Sequence, residues 1–165
     1  MIRSVTGCLL AIQGLLPLGC SLKLNVPKYT VPTAQQLQGF VVGRAKVDIT
    51  PPPGYPMGGH SIAGKVARGY WTHLYTRAFY FQDANRGNLA LVSCDLFAIP
   101  AGLRAEVARL AAKNGVPLLP DALILAATHT HHGPGNFMTS ELYNGFSSPW
   151  PGFDKELFGW LAEKI

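Results

Sequence analysis

The sequence predicts an α/β domain with a mixed sheet flanked by helices. Three observations lead there. Four short apolar segments carry β-branched or aromatic residues and are bounded by Pro, Gly or Asn/Asp clusters, the marks of strands. An amphipathic stretch at residues 101–114 lies between two of these segments, and that order calls for a right-handed parallel crossover. The composition is 48% hydrophobic and 14% charged, enough apolar content for a core and too much for a disordered or acidic solvating segment. With 18 Gly and 13 Pro, long coiled-coil helices are excluded as well. The net charge of +5 comes from 14 basic against 9 acidic residues, scattered with no run of three bases. A nucleic-acid binder gathers its bases on one face, so no nucleic-acid partner is expected.

The chain divides into a leader and a domain. Residues 1–20 (MIRSVTGCLLAIQGLLPLGC) have one early charge, Arg3, and then a short apolar run, the pattern of an export signal. Gly14 and Pro17 interrupt that run, and it is short for a membrane span. Its end, LPLGCS, resembles a bacterial lipoprotein cleavage box with Cys20 as the lipidated residue, although Pro17 stands where Leu is usual. The expectation is an exported protein, periplasmic or membrane-anchored through Cys20, or else secreted. Residues 21–39 are polar and hold Pro27 and Pro32, which suits a tether. Beyond the leader Cys94 is the only cysteine, so no intrachain disulfide forms in the domain. It lies in an apolar run and reads as a buried small hydrophobe.

The domain, residues 40–165, starts with a strand at 40–49 (FVVGRAKVDI). Pro51, Pro52 and Pro53 remove three backbone donors and stop it. Residues 55–69 form a Gly-rich loop containing His60, of a length that usually has a function. Residues 74–82 and 89–99 are strands around a turn at 83–88, a β-hairpin. Pro100 opens a helix at 101–114, with Leu103, Val107, Leu110 and Ala111 on one face and Gly115 ending it. Residues 122–127 (ALILAA) read as a buried central strand, and a last helix runs from residue 153 with an acidic first turn.

Directly after the ALILAA strand comes THTHHGPGNF, residues 128–137. Three of the five histidines fall within four positions, at His129, His131 and His132. In α/β sheets the carboxyl ends of strands are where ligands bind. On an extended chain His129 and His131 point to one side, because side chains alternate with period two. Two imidazoles so placed either share a metal or divide into one ligand and one acid–base group. Gly133 and Gly135 around Pro134 make a tight turn that would bring backbone amides to a substrate, with Asn136 beside them.

This segment resembles the His-Thr-His-x-Gly-Pro-Gly motif of the neutral/alkaline non-lysosomal ceramidases. Other pieces are similar and occur in the family's order: GRAKVDITPPPGYPMGG (43–59), LYTRAF (74–79, containing Arg77) and LALVSCDLFAI (89–99, containing Asp95). The resemblance implies the N-terminal portion of a ceramidase-like catalytic domain. It also implies a zinc-dependent amidase that cleaves the N-acyl bond of ceramide or a related lipid amide. By the same resemblance His131 is the preferred zinc ligand and His129 its acid–base partner, or the reverse; Gly133, Gly135 and Asn136 would meet the substrate.

Two departures stand against a complete enzyme. The resemblance calls for another histidine six residues before Arg77; Trp71 stands there, and His73 and His60 are the candidates to replace it, with His132 a third. The remaining expected ligands, a Glu and a Tyr, and a catalytic Ser belong to downstream motifs. Thr139, Ser140, Glu141 and Tyr143 do not sit in those motifs and read as ordinary loop residues. The expectation is therefore an enzyme fragment that is inactive by itself. Alternatives are a relative with an altered metal site that binds lipid or glycan, favoured by Trp71, and a truncated remnant, favoured by the helix that stops in mid-pattern at Ile165. Tyr70, Trp71, Phe137, Tyr143, Phe146 and Trp150 would suit an acyl chain or a sugar ring.

Overall fold

A computed structural model describes residues 39–165 apart from 86, 117 and 119. The described residues lie within one compact unit, Gln35–Ile165, so the expected signal, Cys20 and nearly all of the expected tether lie outside them.

Four strands form one sheet in the order β1 (Val41–Asp48), β2 (Tyr75–Gln82), β3 (Asn88–Cys94) and β4 (Leu123–Ala127). The first two pairings are antiparallel and β3–β4 is parallel, so the mixed sheet expected from the sequence is the one found. Helix α1 (Ala101–Lys113) makes the crossover between β3 and β4, and α3 (Lys155–Lys164) packs on α1. The β2–β3 turn is held by Asp83, whose Oδ1 accepts the N–H groups of Asn85 and Gly87. Gly115 ends α1 with φ +84°, a left-handed conformation that glycine adopts without a side-chain clash. Asp154 caps α3, its Oδ1 accepting Leu157 N–H at 2.9 Å.

One face of the sheet is covered. Ala90, Val92 and Cys94 of β3 and Leu123 of β4 are buried in a cluster with Leu103, Val107 and Ala108 of α1 and Leu157, Leu161 and Ala162 of α3. Cys94 is fully buried as expected, and burial pushes its thiol pKa up. The opposite face carries a cross-strand row of Arg44, Phe79, Leu91 and Ile124. Phe79, Leu91 and Ile124 there are 46%, 42% and 48% exposed.

Three expectations are corrected. Strand β4 is a terminal strand of the described sheet, and only its first residue is buried. Its all-apolar sequence suggested burial on both faces, but α1 and α3 cover one. Strand β3 stops at Cys94 and does not continue to residue 99, because Asp95 turns its side chain back onto β2 while Leu96 and Phe97 enter the core. A short helix, α2 (Glu141–Ser147), forms where a loop was expected. It has weak intrinsic propensity, with Asn144 and Gly145 at its centre. Its anchor is tertiary: Asn144 Oδ1 accepts Met138 N–H at 3.1 Å, and Asn144 Nδ2 donates to the Met138 carbonyl at 2.6 Å.

Truncating Leu161, fully buried between α3 and the sheet, removes packing that no neighbour can replace. Leu161→Ala should destabilise the domain by about 2–5 kcal/mol, read as a lower urea midpoint with an unchanged slope.

Candidate functional site

The site forms where β3 and β4 end side by side. Thr128 N–H donates to the Cys94 carbonyl at 2.9 Å, so the parallel ladder runs one rung past β4. His129 follows and leaves the extended conformation, with φ +61°. A non-glycine residue in the left-handed region costs about 1–2 kcal/mol and marks a constrained position. The expected strand-like alternation of His129 and His131 is therefore not what brings them together. The kink at His129 does: the two rings lie edge to face with centroids 4.9 Å apart, and Nε2 faces Nε2 at 3.3 Å.

The Phe97 carbonyl receives His129 Nδ1 at 2.6 Å. A carbonyl only accepts, so Nδ1 carries the proton and donates. In the neutral ring Nε2 then only accepts, and its lone pair faces His131 Nε2 at 3.3 Å.

The Gly-rich loop supplies the other wall. Its own backbone pairs as a small hairpin, with Met57 N–H donating to the Lys65 carbonyl and Ala67 N–H to the Tyr55 carbonyl. It then docks on the histidine segment through Gly58 N–H to the Gly133 carbonyl at 3.0 Å and Gly135 N–H to the Pro56 carbonyl at 2.7 Å. Gly59 has φ +86°, and a Cβ there would lie 2.9 Å from the His131 ring. A Cβ at Gly58 would press on the Phe97 ring more closely still. These two glycines and the Phe97 carbonyl were not singled out in the sequence. The Gly-Gly pair was the available signal, while a backbone carbonyl leaves no signature.

The other expected residues fall into three groups. His60 joins the cluster: its ring is edge to face with His131 at 5.1 Å and lies 6.3 Å from His132. His73 is held elsewhere, with Nδ1 2.6 Å from Asp48 Oδ2 and its ring stacked on Tyr70. Gly133, Gly135 and Asn136 are buried, and the groups described above are taken up inside the protein. Asn136 Nδ2 donates to the Trp150 carbonyl at 2.9 Å, its Oδ1 accepts from Ser148, and its carbonyl accepts Asp154 N–H at 2.7 Å. It ties the histidine segment to the start of α3. Phe137 is fully buried against Phe97, so it is core and not a wall of the site.

His129 and His131 bring their Nε2 atoms to a separation that a shared cation would span. Among the described residues no set of three or more His, Cys, Asp or Glu side chains is arranged to hold a metal. Beside His132 opens a cavity of about 540 Å³, walled by Pro51, Pro52, Tyr55, Leu74 and Trp71.

Behind the site, Arg77 Nη1 donates to both oxygens of Asp95 at 3.0 Å, and Tyr75 N–H donates to Oδ2 at 2.9 Å. Burial alone would raise the Asp95 pKa. The hydrogen bonds from Arg77 and Tyr75, the Arg77 charge and the Thr128 hydroxyl outweigh it and leave it lowered.

The geometry is that of a histidine cluster at the carboxyl edge of an α/β sheet. Residues 40–164 match the family "neutral/alkaline non-lysosomal ceramidase, N-terminal". The chain belongs to that family. Neutral ceramidase of Drosophila melanogaster is 36% identical over 107 residues, covering 64% of this chain and 15% of that protein. Neutral ceramidase of Pseudomonas aeruginosa is 36% identical over 126 residues, covering 74% of this chain and 18% of that protein. The crystal structure of the Pseudomonas aeruginosa neutral ceramidase superposes with a TM-score of 0.66 at 32% identity, over 78% of this chain and 20% of that one. A ceramidase complexed with C2 gives 0.61 at 32% identity, over 78% of this chain and 20% of that one. The chain thus spans less than a fifth of the length of these two curated relatives.

Two outcomes follow from this geometry. Gly59→Ala should push the His131 ring from its place beside His129, seen as altered ring shifts of both histidines by NMR while β-sheet circular dichroism is kept. Because Asp95 has a lowered pKa when folded, its contribution to stability is complete above its unfolded value, about pH 4, and is lost as pH falls through the folded value. Urea midpoints should start to fall as pH drops through about 4 and should keep falling below it, and Asp95→Asn should flatten that drop.

Proposed function

We propose that this chain is the N-terminal part of an exported zinc-dependent amidohydrolase that cleaves the N-acyl amide bond of ceramide or a related lipid amide. The observation carrying this reading is the His129–His131 pair, with Nε2 facing Nε2 at 3.3 Å and His129 Nδ1 tied to the Phe97 carbonyl. Two ligands at the usual Zn–N length of about 2.0–2.1 Å in a tetrahedral site stand about this far apart. A metal-binding histidine almost always donates its other ring N–H to a carbonyl or carboxylate. The residues therefore fit zinc, and the tautomer favours His129 as the ligand, the reverse of the order preferred from the sequence. Further ligands would come from outside residues 1–165.

When bound, zinc would polarise the amide carbonyl and lower the pKa of a water. His129 would present Nε2 in a fixed direction. His131, backed by Gly59 and edged by His60, would present its own Nε2 3.3 Å away as the second nitrogen on the same cation. The apolar cavity beside His132 would take part of an acyl chain. Export, and anchoring through a lipidated Cys20, rest on the sequence of residues 1–20.

Zinc analysis of the purified chain tests the reading: weak binding that disappears in His129→Ala is expected, and binding indifferent to His129 and His131 overturns it. The chain by itself should show little or no hydrolysis of a fluorogenic ceramide, because two nitrogens leave zinc short of the three protein ligands of a catalytic site. Lengthening the chain to the span of its relatives should restore turnover that chelators abolish.

A further inference from the structure

The cavity beside His132 has a charge pattern that a neutral acyl chain does not use. Its walls are mainly apolar, with Pro51, Tyr55, Trp71, Leu74 and Pro134 among them. Lys65 and Arg68 line it too, and among the described residues no Asp or Glu does. Both cations are exposed, and neither joins an ion pair among the described residues.

Backbone and side-chain bonds hold these walls in place. Lys65 and Arg68 flank an arm that pairs with residues 54–57. Met57 N–H donates to the Lys65 carbonyl, Ala67 N–H to the Tyr55 carbonyl and Gly54 N–H to the Ala67 carbonyl, at 2.9 Å each. A second wall carries Tyr70 and Trp71. It is anchored by His73, whose Nδ1 lies 2.6 Å from Asp48 Oδ2 and whose ring stacks on Tyr70. Leu74 N–H donates to Thr50 Oγ1 at 2.8 Å and fixes the chain that follows.

Apolar walls reward burial of CH₂ groups. Cations beside such walls attract an anion more strongly than they would in open water, and arginine offers a carboxylate two parallel N–H donors. A cationic head would be repelled, and a neutral head would leave both charges unused.

We propose that this cavity is a binding site for a long-chain fatty carboxylate, with its chain on the apolar walls and its head at Lys65 and Arg68. Such an acid is what amide hydrolysis releases. The oxygen of water joins the acyl carbon, the C–N bond breaks, the amine leaves with a proton, and the new acid is ionised at neutral pH. The amide carries no charge at that position, so the cavity holds product in preference to substrate. This consequence rests on the amidohydrolase reading, while the binding itself does not.

The test adds dodecanoate, below its micelle concentration, to the metal-free 165-residue chain and follows tryptophan emission and calorimetric heat. Trp71→Phe should remove the emission change, which assigns the ligand to this cavity. Octanoate should bind more weakly by about 10-fold or more. Lys65→Ala and Arg68→Ala should each weaken dodecanoate about 2- to 5-fold at an unchanged urea midpoint. Dodecanol should bind more weakly than dodecanoate and be indifferent to both substitutions. Lys65→Glu combined with Arg68→Glu should turn the preference toward dodecyltrimethylammonium. Dodecanol or dodecyltrimethylammonium binding the wild type as tightly as dodecanoate overturns the proposal, as does a charge reversal that leaves the preference intact. If the double variant does not fold, the two alanine variants decide. Dodecanoate binding here, with no lipid amide hydrolysed by a lengthened chain, leaves the carboxylate site standing and overturns the hydrolase reading. Hydrolysis by the lengthened chain, with dodecanoate ignored, does the reverse.

Discussion

Thr128 N–H reaches the Cys94 carbonyl one rung beyond the last pair of β3 and β4. In a parallel pair both strands run the same way, so both chains leave the sheet at the same edge. Asp95–Phe97 and Thr128–His131 are consequently neighbours by topology before any side chain is chosen. An antiparallel partner would have sent one of these segments to the opposite end. The crossover through α1, buried by Leu103, Val107 and Ala108, keeps the two strands in this arrangement. The hydrophobic core and the histidine site thus depend on the same pairing.

What the topology brings near, short-range contacts then fix. The Gly-rich loop docks by backbone hydrogen bonds at Gly58 and Gly135, and small residues let it approach the histidine segment closely. Asn136 joins the same segment to α3 through Asp154 and to residues 148–150. The exposed rings of His60 and His129 therefore stand on a buried, hydrogen-bonded base running from Gly133 to Met138. A pre-set frame with polar groups at its rim suits chemistry that tolerates little error in geometry.

The strands, α1 and the histidine segment were legible because each rests on local signals: β-branched runs, a helical period, a dense histidine cluster. The end of β3 was not legible, since LFAI continues the apolar run and the chain turns only because Asp95 finds Arg77 and Tyr75 on another strand. Helix α2 was missed for the same kind of reason, as its hold comes from Asn144 on Met138. Alternation along an extended chain predicted convergence of His129 and His131, yet the contact comes from a left-handed residue that no pattern announces. His60 and His73 were equal candidates by type. The partners of His73, Asp48 and Thr50, separate it from the cluster, and those partners are distant in sequence.

The positive φ at His129 sets stability and chemistry against each other at a single position. Glycine would relieve about 1–2 kcal/mol of backbone strain there while deleting the imidazole. Asparagine tolerates the left-handed region well, whereas valine or isoleucine would suffer most. Sequence drift toward a sturdier fold would therefore favour losing the ring first. A relative with Gly or Asn at this position would gain robustness and lose the ring that meets the Phe97 carbonyl and His131, so heat resistance would be a poor guide to whether the cluster is intact.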